Sequence, residues 1–321
     1  MIHNPGLCLS VTATEIDLTT LRIVRAIADE KTLSGAAAAL GYSQPAVSQH
    51  LARASTRIGQ PLVTRAGRTV RLTEAGAVLA RHAVTVQSAL DAASGELADL
   101  GGLRSGVVRV AAFPTASATV VPRLLGAMAA RHPGIRLSYV EVEPPEALDL
   151  LRHGRADLAI TFRYPDDWSD PHARYPDELT MLPLFDDELL VAEPAAHDRD
   201  GSRTTLQQYA DADWIAGCPQ CRGNLLQACQ SAGFQPRIAH ETDNAAAVLG
   251  LVANGLGVAQ LPRLALSSVT VPEGVRLLQV AGVPSRTVHA VALRAAQGVP
   301  AVAAALRASA ELDVADWVAA G

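Results

Sequence analysis

The chain has 321 residues, of which 49% are hydrophobic and 18% charged. At roughly 100–200 residues per domain this allows two or three domains with a sizeable core, and it excludes a disordered polyelectrolyte. Four cysteines are too few for a disulfide scaffold, no stretch approaches about 18 uninterrupted apolar residues, and residues 1–15 carry no Lys or Arg to open a secretory signal; a cytoplasmic, non-membrane protein is expected. The net charge of -5 is unevenly spread, since residues 16–72 hold eight Lys/Arg against three acids. A basic amino-terminal module on an acidic body points towards nucleic acid, although a solvated Arg-rich face gives the same balance.

Residues 1–15 read as an extension with no assigned role. From there, Leu18, Leu21, Val24 and Ile27 recur at helical spacing. A short helix follows, with Ser34 as its cap and Gly35 to Leu40 as its body. Gly41 can take the left-handed conformation that ends it, Ser43 can cap the next helix, and Pro45 fits that helix's first turn. Val47 and Leu51 then share the inner face. Two helices joined by a tight turn, the second opening on hydroxyls and amides, make a helix-turn-helix pattern. Val63–Leu72 alternates around Ala66-Gly67 and reads as a two-stranded wing displaying Arg65, Arg68 and Arg71.

Thr73 caps a long helical run. Leu79, Ala83, Val86, Leu90, Ala93, Leu97 and Leu100 follow one another at steps of four and three, a heptad seam that Gly101-Gly102 stops. So narrow a stripe suits pairing with a like helix; packing on the chain's own body is the other reading. Beyond it, β-type and helical runs alternate. Strands are predicted at Val107–Phe113, Arg136–Val142, Ala156–Phe162, Leu179–Leu184, Glu188–Ala192, Trp214–Ala216, Arg237–His240, Gly257–Gln260, Val275–Val280 and Thr287–Arg294. Helices are predicted at Ala118–Arg131, Glu146–His153, Arg222–Ala232, Asn244–Asn254 and Pro300–Asp313. This predicts two α/β lobes with a cleft between them.

Leu33-Ser34-Gly35-Ala36-Ala37, Ser43-Gln44-Pro45-Ala46-Val47-Ser48 and Leu72-Thr73-Glu74-Ala75-Gly76 together resemble the DNA-binding signature of LysR-type transcriptional regulators. Phe113-Pro114-Thr115, Gly154-Arg155-Ala156-Asp157 and Gly255-Leu256-Gly257 look like later parts of that family. The resemblance covers roughly residues 16 to 310. Val63 departs from the family's usual Phe, and Ala54-Ser55 from its Leu-Glu pair, which thins the packing at the end of the recognition helix. The implied fold is a winged helix-turn-helix domain (16–73) and a linker helix (74–102), then a two-lobed effector domain (103–321) like the periplasmic binding proteins. The first lobe is expected at 103–163 and 265–321, the second at 164–264. The family implies a homodimer or homotetramer that bends promoter DNA in response to a small-molecule effector.

Ser43, Gln44, Pro45, Ser48 and Gln49 are the expected base readers, since amides and hydroxyls can pair with base edges and a proline can touch a thymine methyl. Ser43 is equally readable as a cap, and the glutamines as a solvated face. His50, Arg53, Arg65 and Arg68 are expected on phosphates or, for Arg68, in the minor groove. For the effector, an anion being one candidate class, Thr115 and Ser117 lie at a strand-to-helix turn, with Thr161 and Thr242 expected opposite. Arg163 is an anion partner or a solvated hinge residue. Cys218 and Cys221, three apart, are two buried thiols or the input of a redox- or metal-sensing switch. No catalytic signature, metal motif or cofactor motif is present, so an enzyme in the cleft is a remote alternative.

Overall fold

The computed structural model describes residues 16–66, 69–100, 106–165, 170–196 and 204–317. The chain forms two compact units, Met1–Ser88 and Ala89–Gly321. No described helix is long and apolar enough to cross a membrane.

The first unit contains α1 (Leu18–Glu30), α2 (Leu33–Leu40), α3 (Gln44–Ile58), strands β1 (Val63–Ala66) and β2 (Thr69–Leu72), and the start of α4 (Glu74–Leu100). Asp17 caps α1 by accepting the Thr20 N–H at 2.7 Å. Lys31, at φ 55, ends α1 so abruptly that the next helix begins two residues later. Thr32, not Ser34, is therefore the cap of α2, its hydroxyl accepting the Gly35 N–H at 3.0 Å. The wing is antiparallel, with Val63 opposite Leu72 and Ala66 opposite Thr69. Ile23, Val24, Ile27, Val47, Leu51 and Leu62 close one apolar core, which Leu79, Ala80 and Ala83 of α4 complete. A Cβ on Gly76 would lie 2.1 Å from the Leu62 carbonyl oxygen, so only glycine lets α4 approach the wing there.

The second unit is built on two five-stranded sheets and one short two-stranded pair. In chain order it holds β3 (Gly106–Ala112), α5 (Pro114–Ala118), α6 (Val120–Arg131), β4 (Ile135–Glu141), α7 (Pro144–Arg152), β5 (Leu158–Arg163), β6 (Leu179–Asp187), β7 (Leu189–Pro194), β8 (Thr204–Thr205) and β9 (Asp213–Ala216). It continues with α8 (Pro219–Ser231), β10 (Arg237–Glu241), α9 (Ala245–Ala253), β11 (Val258–Pro262), α10 (Arg263–Leu266), β12 (Val275–Leu278), β13 (Val280–Ala281), β14 (Arg286–Leu293) and α11 (Pro300–Ala310). The helix expected from Ala118 to Arg131 is broken at Thr119, whose backbone is not helical.

The sheet orders are β4-β3-β5-β14-β6 and β10-β9-β11-β7-β12. In each, four strands point the same way and one, β14 in the first and β7 in the second, runs against them. This pairing corrects the expected lobe bounds. The first lobe takes β6, which lies within 164–264, and the second takes β12, which lies within 265–321. The chain crosses between lobes at Glu188 and again between β13 and β14. The reason is pairing: β14 lies between β5 and β6 along its length, and β12 pairs with β7 from Val275 opposite Pro194 to Leu278 opposite Val191.

Candidate functional site

The first site is the exposed start of α3. Gly41, at φ 69, ends α2, and its N–H and that of Tyr42 satisfy the last α2 carbonyls at 3.2 and 2.8 Å. Ser43 then caps α3, accepting the Ala46 N–H at 3.4 Å. Val47, Leu51 and Ala54 are buried one above the other, which turns Gln44, Pro45 and Gln49 outward. Ser43, Gln44, Pro45, Gln49 and Arg53 are exposed and Ser48 is half-buried.

His50 is held from within the unit. Its Nε2 lies 2.9 Å from the Thr20 hydroxyl and 3.4 Å from Asp17. The Thr20 hydroxyl donates to Asp17, so His50 is the donor to Thr20. Arg57 of α3 also pairs with Asp17. His50 thus fastens α3 to α1, a role its sequence position did not disclose. Arg68 and the Arg65 side chain lie outside the described residues.

The second site is the cleft between the two sheets, with ≈ 730 Å³ of empty space that includes open solvent at its mouth. The first lobe lends Phe113, Thr115, Glu143, Phe162, Tyr164 and Arg286; the second lends Cys218, Cys221, Thr242, Asp243 and Gln260. Of the four expected effector residues, Thr115 and Thr242 reach it. Ser117 does not: its hydroxyl donates back to the Phe113 carbonyl at 3.2 Å. Thr161 is buried on the other side of β5, bonded to His172 Nε2 at 2.8 Å, and His172 Nδ1 donates to Asp170 at 2.6 Å. All three side chains are buried. Arg163 is paired with Asp170 at 2.6 Å.

Arg286 is 2% exposed and meets buried Asp187 at 2.9 Å, with its guanidinium over Phe162 and Phe113 at 4.4 and 5.0 Å. Burial disfavours its charge, but Asp187, Tyr164 and Cys221 more than restore it. With Arg286 committed to Asp187, the other charged groups lining the cleft are the carboxylates of Glu143 and Asp243, which disfavour an anion. Burial first, then the Asp243 charge, push the Glu143 carboxyl up to about 7 against the pull of Arg286 and a hydrogen bond from Cys218.

The two cysteines meet at the start of α8. Cys218 is its cap, its sulfur accepting the Cys221 N–H at 3.3 Å, and the two Sγ atoms are 2.7 Å apart. The Cys221 thiol is lowered by a hydrogen bond from Cys218, with Arg286 and Tyr164 helping against burial. The Cys218 thiol is raised by that same bond, then by burial and by Glu143. Cys229 lies apart in the second lobe's core, where burial pushes its thiol up to about 12. Among the described residues no group of three or more His, Cys, Asp or Glu is placed to hold a metal.

Residues 18–77 match the model of the bacterial regulatory helix-turn-helix protein, lysR family, and residues 101–312 match that of the LysR substrate binding domain. The chain belongs to the LysR family. It is a LysR-type DNA-binding transcriptional regulator with an effector-binding domain. A Mycobacterium avium protein named probable hydrogen peroxide-inducible genes activator is 32% identical to this LysR-type regulator over 256 residues, 77% of this chain and 78% of its own. The probable HTH-type transcriptional regulator LrrA of Synechococcus elongatus is 28% identical over 292 residues, 91% of this chain and 95% of its own. A full-length OxyR variant from Pseudomonas aeruginosa shares the fold, with TM-score 0.71 at 22% identity over 94% of this chain and 96% of that one.

Glu143, Tyr164, Asp243 and Arg286 were missed in the sequence. The one usable signal was Arg286, a lone charge opening the apolar run of β14.

Proposed function

We propose that this LysR-type regulator reads promoter DNA with paired α3 helices and that the inter-lobe cleft holds the signal. Ser43, Gln44, Pro45, Ser48 and Gln49 read base edges; Arg53, Arg65 and Arg68 hold phosphates, and His50 braces α3 while lying near the backbone. The exposed, capped first turn of α3 carries this reading. Pairing runs along α4, where Val86, Leu90 and Leu97 are exposed after Leu79 and Ala83 have been spent on the chain's own core. Thr115 and Thr242 face a small effector from opposite lobes, and an effector that prefers one lobe spacing shifts the regulator's population towards it. The carboxylates in the cleft favour a neutral or proton-donating effector over an anion.

A second reading has a specific observation behind it. The 2.7 Å approach of Cys218 to Cys221 suits a dithiol input, and relatives at 30–32% identity are named hydrogen peroxide-inducible genes activators. In that reading a hydroperoxide is the signal and a disulfide is the switched state.

Selection of genomic fragments by the purified chain, then footprinting with and without hydrogen peroxide, tests both. Enriched fragments with a two-fold footprint support the first reading; no enrichment at any salt concentration removes it. A footprint altered by peroxide in the wild type but not in the Cys218→Ala/Cys221→Ala variant supports the second; the same response in both removes it.

A further inference from the structure

The thiol pair and the groups that act on it come from different lobes. Cys218 and Cys221 open α8 in the second lobe, while Glu143 precedes α7, Tyr164 follows β5 and Arg286 starts β14 in the first. The pair is not symmetric. Cys221 faces the Tyr164 hydroxyl and the Arg286 guanidinium, which both stabilise a thiolate. Cys218 shares the cleft wall with Glu143, and its one S–H has two acceptors within reach, the Cys221 sulfur at 2.7 Å and the Glu143 carboxylate.

We propose that Glu143 is the proton acceptor that lets Cys218 close a disulfide onto oxidised Cys221, in a site assembled from both lobes. The proposal rests on the dithiol reading above. The Cys221 thiolate attacks one oxygen of a hydroperoxide; an S–O bond forms, the O–O bond breaks, and the leaving alkoxide takes a proton from water. Cys221 is now a sulfenic acid and the peroxide has been reduced to an alcohol, or to water from hydrogen peroxide. The Cys218 thiol then passes its proton to Glu143 and its sulfur attacks the Cys221 sulfur. The S–S bond forms, the S–O bond breaks, and the departing hydroxide recovers the proton from Glu143 as water. Glu143 ends as it began.

The groups facing Glu143 suit a proton carrier. Asp243, just before α9, and Glu141, at the end of β4, raise its pKa, while Arg286 and Cys218 lower it; with burial the result is about 7. Both protonation states are then accessible near neutrality, and closure requires the carboxylate. The rate of closure therefore rises as pH rises through 7.

The test uses the reduced full-length chain and hydrogen peroxide, quenched over time with dimedone for sulfenic acid and iodoacetamide for free thiol, and read by mass spectrometry across pH. Glu143→Gln is expected still to form the Cys221 sulfenic acid, since Arg286 and Tyr164 continue to favour the thiolate, but to close the disulfide about 100-fold more slowly, without the pH midpoint near 7. Glu143→Asp restores part of the rate and keeps a midpoint. Wild-type closure kinetics in Glu143→Gln, or slower closure with the midpoint unchanged, overturns the role of Glu143 while leaving the dithiol reading standing. A wild type that forms neither sulfenic acid nor disulfide overturns both.

Discussion

Asp17 serves α1 and α3 together. It caps α1 through Thr20, and it holds His50 and Arg57 of α3. Burial works against its charge, but hydrogen bonds from Thr20 and Arg57 and the nearby His50 outweigh it and hold the carboxyl below its ordinary value of 3.8. A carboxylate lowered on folding stabilises the fold above the unfolded value and loses that contribution as pH falls through the folded one. Asp17→Ala should therefore cost about 2 kcal/mol in urea unfolding at pH 7, chiefly from the lost cap, and the gap from wild type should narrow below pH 4. A gap independent of pH would leave the charge without a part. Among the exposed side chains of α3, Gln44 and Arg53 divide reading from holding. Gln44→Ala should reduce discrimination between operator variants by ~1–3 kcal/mol at particular base pairs, with non-specific binding nearly intact. Arg53→Ala should weaken all sequences alike and lower the salt slope by about one. Fluorescence anisotropy across operators and salt concentrations separates the two; identical behaviour would contradict the division.

Helix α4 changes its task along its length. Leu79, Ala80 and Ala83 finish the core of the first unit, whereas Val86, Leu90 and Leu97 are 36%, 42% and 69% exposed. Both stretches belong to one heptad seam, so the pattern alone cannot tell a core residue from a pairing residue. Substitution can. Leu79→Ala should lower stability by about 2–4 kcal/mol with the assembly state unchanged. Leu90→Lys should leave the unfolding midpoint of the isolated protomer nearly unchanged and convert the protein to monomers in sedimentation velocity, with loss of the two-fold footprint. A Leu90→Lys protein that sediments as the wild type would put the pairing surface elsewhere.

Where the chain passes between the lobes, buried charges replace a conventional hydrophobic hinge. Asp187 ends β6 opposite Arg286, the first residue of β14, and its other oxygen accepts the Leu264 N–H at 2.9 Å. Glu188, at the crossing itself, is paired with Arg263 at 2.6 Å. Removing one partner of the Asp187–Arg286 pair leaves the other charge buried without compensation. Arg286→Met should thus cost about 3–5 kcal/mol, and Asp187→Asn added to it should recover most of that loss. Calorimetry on the single and double variants measures the coupling; additive losses would mean that Arg286 matters mainly for its stacking on Phe113 and Phe162. The same pair occupies the cation of the cleft and leaves Glu143 and Asp243 as the carboxyl groups on its walls.

The local features were legible before any coordinates. The turn at Gly41–Ser43, the exposed amides of α3, the heptad seam and the run of strands and helices depend on spacing along one segment, which the residue order contains. The likeness in Ser43-Gln44-Pro45 and Leu72-Thr73-Glu74 carried the DNA-binding reading. Thr161 and Ser117 were misplaced because the face a side chain takes depends on sheet register and on competing partners, here His172 and the Phe113 carbonyl. The lobe bounds failed for a related reason: β6 and β12 choose their sheets by pairing with strands far along the chain. The spacing of Cys218 and Cys221 announced that the two sulfurs can meet. That Glu143, Tyr164 and Arg286 confront them became visible only on folding, because no local rule links a helix cap, a loop and a strand separated by as many as 143 positions in the chain.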